Sequence, residues 1–268
     1  MKKRWVALGV LALLGAGGYW IYKENSYRLP GLVQDWRDPV QPNRPVTWQA
    51  GPATAPAGKR PPNIILIVAD DLGWNDISLN GGGVAGGIVK TPNIDALARE
   101  GMNFTTAYAA NATCSPSRAA MMTGRYPTRF GFEFTAVPVQ FAENLAHGEG
   151  VGPLNAVFHK DLITPDIPDY PDMGVPANEV TIAETVKTVG YHTLHIGKWH
   201  LGEAPALQPH AQGFDESLAV LGGAAMFLPE DDPDVVNAKL PWDRIDRFIW
   251  ANLRHAVSFN GSKRFHPK

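Results

Sequence analysis

Cys114 is the single cysteine of a 268-residue chain, and it opens the run Cys114-Ser115-Pro116-Ser117-Arg118-Ala119-Ala120-Met121-Met122-Thr123-Gly124-Arg125. One cysteine has no intrachain disulfide partner, which leaves three uses: a small buried apolar residue, a metal ligand or a reactive group. Pro116 suits the first turn of a helix, where its missing N–H costs nothing, and Ala119, Ala120, Met121 and Met122 propagate that helix. Cys114 then lies near a helix N-terminus, whose unpaired N–H groups favour an anion, with Arg118 about one turn on. This arrangement suits a negatively charged group held beside a nucleophile. Asp70 and Asp71 are adjacent carboxylates and suit a hard divalent cation, which takes several oxygen ligands. The plainer reading makes Asp70 a turn cap and Asp71 a solvated side chain. Lys198 and His200, read alone, are ordinary loop residues.

Such groups need elements to position them. Residues 64–69 form a continuous β-branched-rich run, which predicts a strand buried on both faces of a parallel sheet. That strand delivers Asp70 and Asp71 to its carboxyl end, where open α/β sheets bind ligands. Thr91 as N-cap, Pro92 at the first helical position and an apolar stripe of Ile94, Leu97 and Ala98 predict a helix that stops at Gly101. A second pattern through Ile182, Ala183, Val186 and Val189 stops at Gly190. Residues 191–196 then read as a short strand, with His192 and His195 as structural side chains on its opposite faces. It passes Gly197-Lys198-Trp199-His200 into a loop, in which Trp199 and Leu201 serve packing. Alternating strand and helix signals predict an α/β sandwich. Residues 133–172 carry scattered Pro and Gly without a period, too long for an ordinary connection, so they read as a lid or substrate-pocket loop.

The run at Cys114 resembles the C-x-P-x-R signature of the type I sulfatases, extended by Ala119-Ala120 and Thr123-Gly124-Arg125. Residues 190–202, with Gly197-Lys198-Trp199-His200-Leu201-Gly202, resemble the family's second signature. Residues 62–73, ending in Ala69-Asp70-Asp71-Leu72-Gly73, resemble its opening strand and metal-binding pair. The resemblance implies an alkaline-phosphatase-like α/β sandwich with a mostly parallel central sheet. It further implies that Cys114 is oxidised to formylglycine by a formylglycine-generating enzyme, and that Asp70, Asp71 and the modified side chain at 114 bind calcium, or less often magnesium. One hydroxyl of the hydrated formylglycine attacks sulfur and expels the alcohol; the other then loses its proton and the sulfate leaves as the aldehyde re-forms. By the same resemblance Arg118 holds the formylglycine, Lys198 contacts the sulfate and His200 contacts a formylglycine hydroxyl. The implied activity is hydrolysis of an aryl or carbohydrate sulfate. Phosphonate or phosphate ester hydrolysis is the second enzyme reading, and a catalytically silent, membrane-tethered remnant the reading from another class. The remaining histidines, at 147, 159, 210, 255 and 266, match no role.

A net charge of −2 and a pI near 6.4 give no electrostatic argument for nucleic acid. Lys2-Lys3-Arg4 precedes residues 5–22, which carry no charge and as a helix would span roughly 27 Å, close to a bilayer core. Two readings stay open. Ala16-Gly17-Gly18 offers a cleavage site for a secretory signal, whereas Tyr19, Trp20 and Tyr22 suit the interfacial belt of an uncleaved anchor with its basic end cytoplasmic. Both export the remainder, to the periplasm or the extracellular face, with the anchor holding it to the inner membrane. Residues 23–61 hold seven prolines and read as a partly extended linker, and residues 62–268 as the folded sulfatase portion. The family completes its metal site with a later Asp-Asn pair and its sulfate site with a later lysine and histidine. No Asp-Asn dipeptide occurs in the chain. The sequence is therefore expected to be an N-terminal portion, incomplete at its C-terminus and inactive alone.

Overall fold

The computed structural model describes residues 14–23, 25–49, 61–82, 84–146, 157–226, 228, 232–235, 249 and 252–267. Its principal helices are α1 (Leu29–Arg37), α2 (Pro92–Glu100), α3 (Cys114–Thr123), α4 (Val139–Ala146) and α5 (Ile182–Lys187). Its strands are β1 (Leu194–Lys198), β2 (Glu216–Val220) and β3 (Ser258–Phe259), and 3-10 turns join many of these elements. The chain divides into two units, Met1–Trp48 with Ala136–Lys268, and Gln49–Thr135.

The first unit is built on a mixed sheet in the order β1-β2-β3. β1 and β2 run parallel from Leu194↔Glu216 to Lys198↔Val220, and β3 joins β2 antiparallel. The α/β class expected from the sequence is the one observed. The expected strand at 191–196 is displaced: pairing with β2 carries β1 through Lys198, so Gly197 and Lys198 sit in the ladder rather than in a loop. Ahead of it, α5 starts at a capping box, in which Thr181 Oγ1 accepts from Glu184 N–H and Glu184 Oε2 accepts from Thr181 N–H. Gly190, at φ 86°, ends that turn where the sequence predicted a stop. Asp215 leads into β2. Burial alone would raise its pKa, but hydrogen bonds from Lys187 and from the Thr193 backbone and hydroxyl hold it below the usual carboxylate range. Trp199, Leu201, Val175, Ala219 and Phe265 are buried in this unit. Full burial of a large apolar side chain stabilises by roughly 1.5–3 kcal/mol.

Within the stretch expected as a linker, residues 25–48 carry helical and extended structure bonded to residues 252–266 of the same unit. Gly31 N–H in α1 donates to Asn252 Oδ1, and Asn252 Nδ2 donates to the Tyr27 carbonyl. Arg254 lies within ion-pair distance of Asp35 and Asp38, and Trp48 meets Phe259 edge-on. Residues 14–23 are helical, with Tyr19 and Trp20 exposed, and residues 5–13 of the expected anchor lie outside the described residues. Among the described residues no helix is long and apolar enough to cross a membrane.

The second unit departs from expectation at its opening run. Residues 64–69 are extended but form no strand, and side chains from Ile64 to Val68 are 39–83% exposed. A buried parallel strand requires neighbours to complete its ladder, and this unit has no assigned strand among the described residues. The second correction is the inward face of α2. Thr91, Pro92 and Gly101 bound the helix as predicted, but Ile94 and Leu97 of the expected apolar stripe are exposed. Asp95 is buried instead. It accepts from the Ser78 and Thr91 hydroxyls and from Leu79 N–H, at 2.7, 2.8 and 3.1 Å. Those bonds, led by Ser78 and opposed by partial burial, hold its pKa below the usual range. A satisfied polar network has replaced the apolar contact at this turn.

Candidate active site

Within the second unit α3 fixes Cys114. Thr113 is the extended residue before the helix, held by Asn111 Oδ1, which accepts from both its N–H and its hydroxyl. Cys114 is the first helical residue, half-buried, and Ser117 N–H closes the first turn onto the Thr113 carbonyl at 3.2 Å. Ser115, Pro116 and Ala119 are buried, and Gly124 ends the helix in the left-handed conformation. Pro116 stands in the first turn as the sequence required. The buried face therefore anchors the helix and leaves Cys114 at its rim.

Asp70 and Asp71 reach this rim from the turn after residues 62–69. One ligand atom from each of Asp70, Asp71 and Cys114 lies within 4.8 Å of the other two, and both carboxylates are exposed. Asp71 adopts φ 55°, a left-handed backbone that costs a non-glycine residue about 1–2 kcal/mol. Its companion at φ 58° is His200, so two of the four described non-glycine residues at positive φ are candidate site residues. Beyond the turn, Gly73 N–H donates to Asp76 Oδ2 at 2.8 Å. The Arg118 guanidinium, with a side chain only 12% exposed, lies 2.6 Å from Asp70 Oδ1. It thus offsets one of the two adjacent carboxylates.

The donor set fits a hard cation in part. Two carboxylates supply oxygen ligands, whereas a thiol is a soft one; an oxygen-bearing side chain at 114 would make the set uniformly hard.

Lys198 and His200 belong to the first unit. Lys198 closes β1 opposite Val220, and the next two N–H groups continue the pairing, Trp199 to the Val220 carbonyl and His200 to the Leu221 carbonyl. His200 is 5% exposed, and its Nε2 donates to the Ala136 carbonyl at 2.9 Å. Gly223 lies against its ring: a Cβ at 223 would stand 2.5 Å from Cε1. Trp199 is buried as expected, its Nε1 donating to the Leu207 carbonyl and its ring edge-on to His195 and Phe214. His195 is thereby a packing residue, as expected, while His192 lies before β1 and bonds Glu216 at 3.1 Å.

The structure thus gathers Asp70, Asp71, Cys114 and Arg118 in one unit and Lys198 and His200 in the other. Three supporting groups escaped the sequence reading. Asn111 had a local signal, an Asn two residues before the N-cap Thr113. Gly223 and the Ala136 carbonyl had none, because both reach His200 from distant sequence.

A sulfatase family profile matches residues 62–244, and the chain belongs to that family. The alkaline-phosphatase-like class expected from the sequence is the fold of that family. The chain is 36% identical over 196 residues to the N-acetylgalactosamine-6-sulfatase of Mus musculus, covering 72% of this chain and 32% of that protein. To the steryl-sulfatase of Mus musculus it is 41% identical over 177 residues, covering 64% and 24% respectively. The crystal structure of Ps i-CgsB aligns with a TM-score of 0.49 at 30% identity, covering 75% of this chain and 37% of that one. The chain therefore spans about a third or less of these relatives.

Proposed function

We propose that the protein hydrolyses sulfate esters, aryl or carbohydrate, using a formylglycine made from Cys114 and a divalent cation, calcium or less often magnesium. The observation that carries this reading is the convergence of Asp70, Asp71 and Cys114 within 4.8 Å, at the N-terminus of a helix whose Arg118 grips one of the carboxylates. Asp70 and Asp71 would hold the cation, which when bound supplies Lewis-acid polarisation of the sulfate. Once converted and hydrated, the side chain at 114 would supply a nucleophilic hydroxyl and a second hydroxyl from which the sulfate can be released. Arg118 keeps Asp70 oriented while offsetting charge, which its fixed donor fork suits. The α3 N–H groups favour negative charge at position 114. Lys198 supplies a cationic partner for the sulfate, and His200, oriented through Ala136, a polar group for the formylglycine hydroxyl.

The names of the relatives span a sulfated amino sugar and a sterol sulfate, so membership leaves the leaving group open. Conversion of Cys114 requires a formylglycine-generating enzyme as partner, and residues 5–22 would export the protein, as signal or as anchor.

The test is hydrolysis by the whole gene product, co-expressed with the converting enzyme, of an aryl sulfate and an aryl phosphate. Sulfate turnover lost together with metal in Asp70→Ala and Asp71→Ala is the expected result. Full metal occupancy with lost turnover would remove these carboxylates from the metal site. Faster phosphate than sulfate hydrolysis would transfer the protein to phosphate ester chemistry.

A further inference from the structure

The apolar stripe of α1 points away from the unit that holds the helix. Leu29, Leu32, Val33 and Trp36 recur at the helical spacing i, i+3, i+4 and i+7, within an arc of about 100°. All four are between 45% and 81% exposed. Gly31, the buried residue of α1, lies roughly 150° from the middle of that arc. Its N–H is the group that donates to Asn252 Oδ1. A surface helix ordinarily buries its apolar stripe, whereas α1 is held by its polar side.

The charges are sorted in the same way. On the polar side Asp35 pairs with Arg254, and Asp38 with Arg254 and Arg264. The cations of the helix stand at the margins of the stripe. Arg28, the residue before α1 with right-handed helical backbone, and Arg37, its last residue, each fall about 40° beyond one edge of the apolar arc. Arg28 also lies over the Tyr27 ring. Apolar side chains in the centre, long cationic ones at the margins and acids turned to protein suit a helix lying in an anionic bilayer interface.

The chain reaches α1 from its most apolar stretch. Residues 14–23 are helical with Tyr19, Trp20, Ile21 and Tyr22 exposed, and Asn25 Nδ2 donates to the Ile21 carbonyl at 2.9 Å. Only residues 23–28 separate these side chains from Leu29. A second copy could also cover an apolar stripe, but two such helices face to face would set arginine margins against arginine margins, which repel.

We propose that α1 is an interfacial membrane helix: Leu29, Leu32, Val33 and Trp36 enter the boundary between headgroups and acyl chains of an anionic bilayer, and Arg28 and Arg37 meet its phosphates. The unit is then held against the surface within about one helix diameter, roughly 10 Å, rather than carried on a free tether. This surface is distinct from the segment 5–22: it lies on the bilayer without crossing it, and it remains if the chain is cut at Ala16-Gly17-Gly18. It makes no use of sulfate-ester chemistry, so its failure leaves that reading standing.

Photocrosslinking of the 268-residue chain on vesicles of phosphatidylcholine and phosphatidylglycerol tests this. The photoreactive residue p-benzoylphenylalanine replaces Trp36 or, on the opposite side of the helix, Gln34, and mass spectrometry identifies what each position captures. Position 36 should give lipid adducts at least roughly tenfold above position 34, because only the apolar stripe reaches the acyl boundary. Leu29→Asp with Leu32→Asp, in a chain shown by circular dichroism to be folded, should lower the position-36 yield by a similar factor. Vesicles without phosphatidylglycerol should lower it too, and Arg28→Glu with Arg37→Glu should remove that dependence. Equal lipid adducts from the two positions, no lipid adduct from position 36, or capture there of a second copy or of the same chain would overturn the proposal. A yield indifferent to phosphatidylglycerol would overturn its anionic preference.

Discussion

Arg118→Ala should make the protein bind calcium more tightly, although the arginine belongs to the proposed active site. Its guanidinium lies 2.6 Å from Asp70 Oδ1. A cation bound to the same carboxylate would sit about 2.3–2.6 Å from its oxygen, so the two positive centres would stand roughly 5 Å apart. Asp70 is 41% exposed, which argues for a solvent-like dielectric. With a dication, unit charge and dielectric near 80, the repulsion at that distance is about 1.7 kcal/mol, or about 15-fold in affinity. Removing Arg118 also releases Asp70 from a competing partner. Arg118→Lys keeps the charge and should stay near the parent value. Calcium titration calorimetry, with near-ultraviolet dichroism to confirm the fold, reads the difference. Calcium affinity unchanged or reduced in a folded Arg118→Ala protein would refute the shared use of Asp70.

Two further outcomes follow from the surrounding structure. Asp95 has a folded pKa below its unfolded one, so its contribution is present above the unfolded carboxylate value, about 4, and is lost as pH falls through the depressed folded value. Melting temperatures between pH 7 and pH 2 should therefore fall more steeply for the parent than for Asp95→Asn; equal slopes would count against the network. Gly223→Ala places a methyl 2.5 Å from His200 Cε1 and 2.7 Å from Nε2. It should displace the ring from Ala136 and destabilise by about 1–3 kcal/mol, visible in urea titration and in the His200 Hε1 resonance. An unmoved resonance would show that the ring is not held there.

Local punctuation was legible in the sequence. Pro116 and Gly124 bound α3, Thr91, Pro92 and Gly101 bound α2, and Gly190 stops the turn after α5, because each acts within a few residues of the backbone it shapes. Side-chain partnership was less so. Residues 64–69 have the composition of a buried strand, but composition cannot supply the neighbours that would complete its ladder. Asp95 takes the inward face of α2 because Ser78 and Leu79 lie opposite it, 16–17 residues away. At the candidate site the residue types were readable as one constellation, while the Arg118–Asp70 contact and the Ala136 support of His200 depend on the chain's path. The 64-residue separation between His200 and Ala136 leaves no local trace.

Cys114 is proposed to be converted to formylglycine, and mass spectrometry of its tryptic peptide reads that conversion. The chain is co-expressed with an active formylglycine-generating enzyme and compared with an Arg118→Ala control and with expression lacking that enzyme. The expected result is a peptide that has lost its thiol and forms a hydrazone, dependent on the added enzyme. A peptide retaining unmodified cysteine, while a known substrate in the same cells is fully converted, would contradict it.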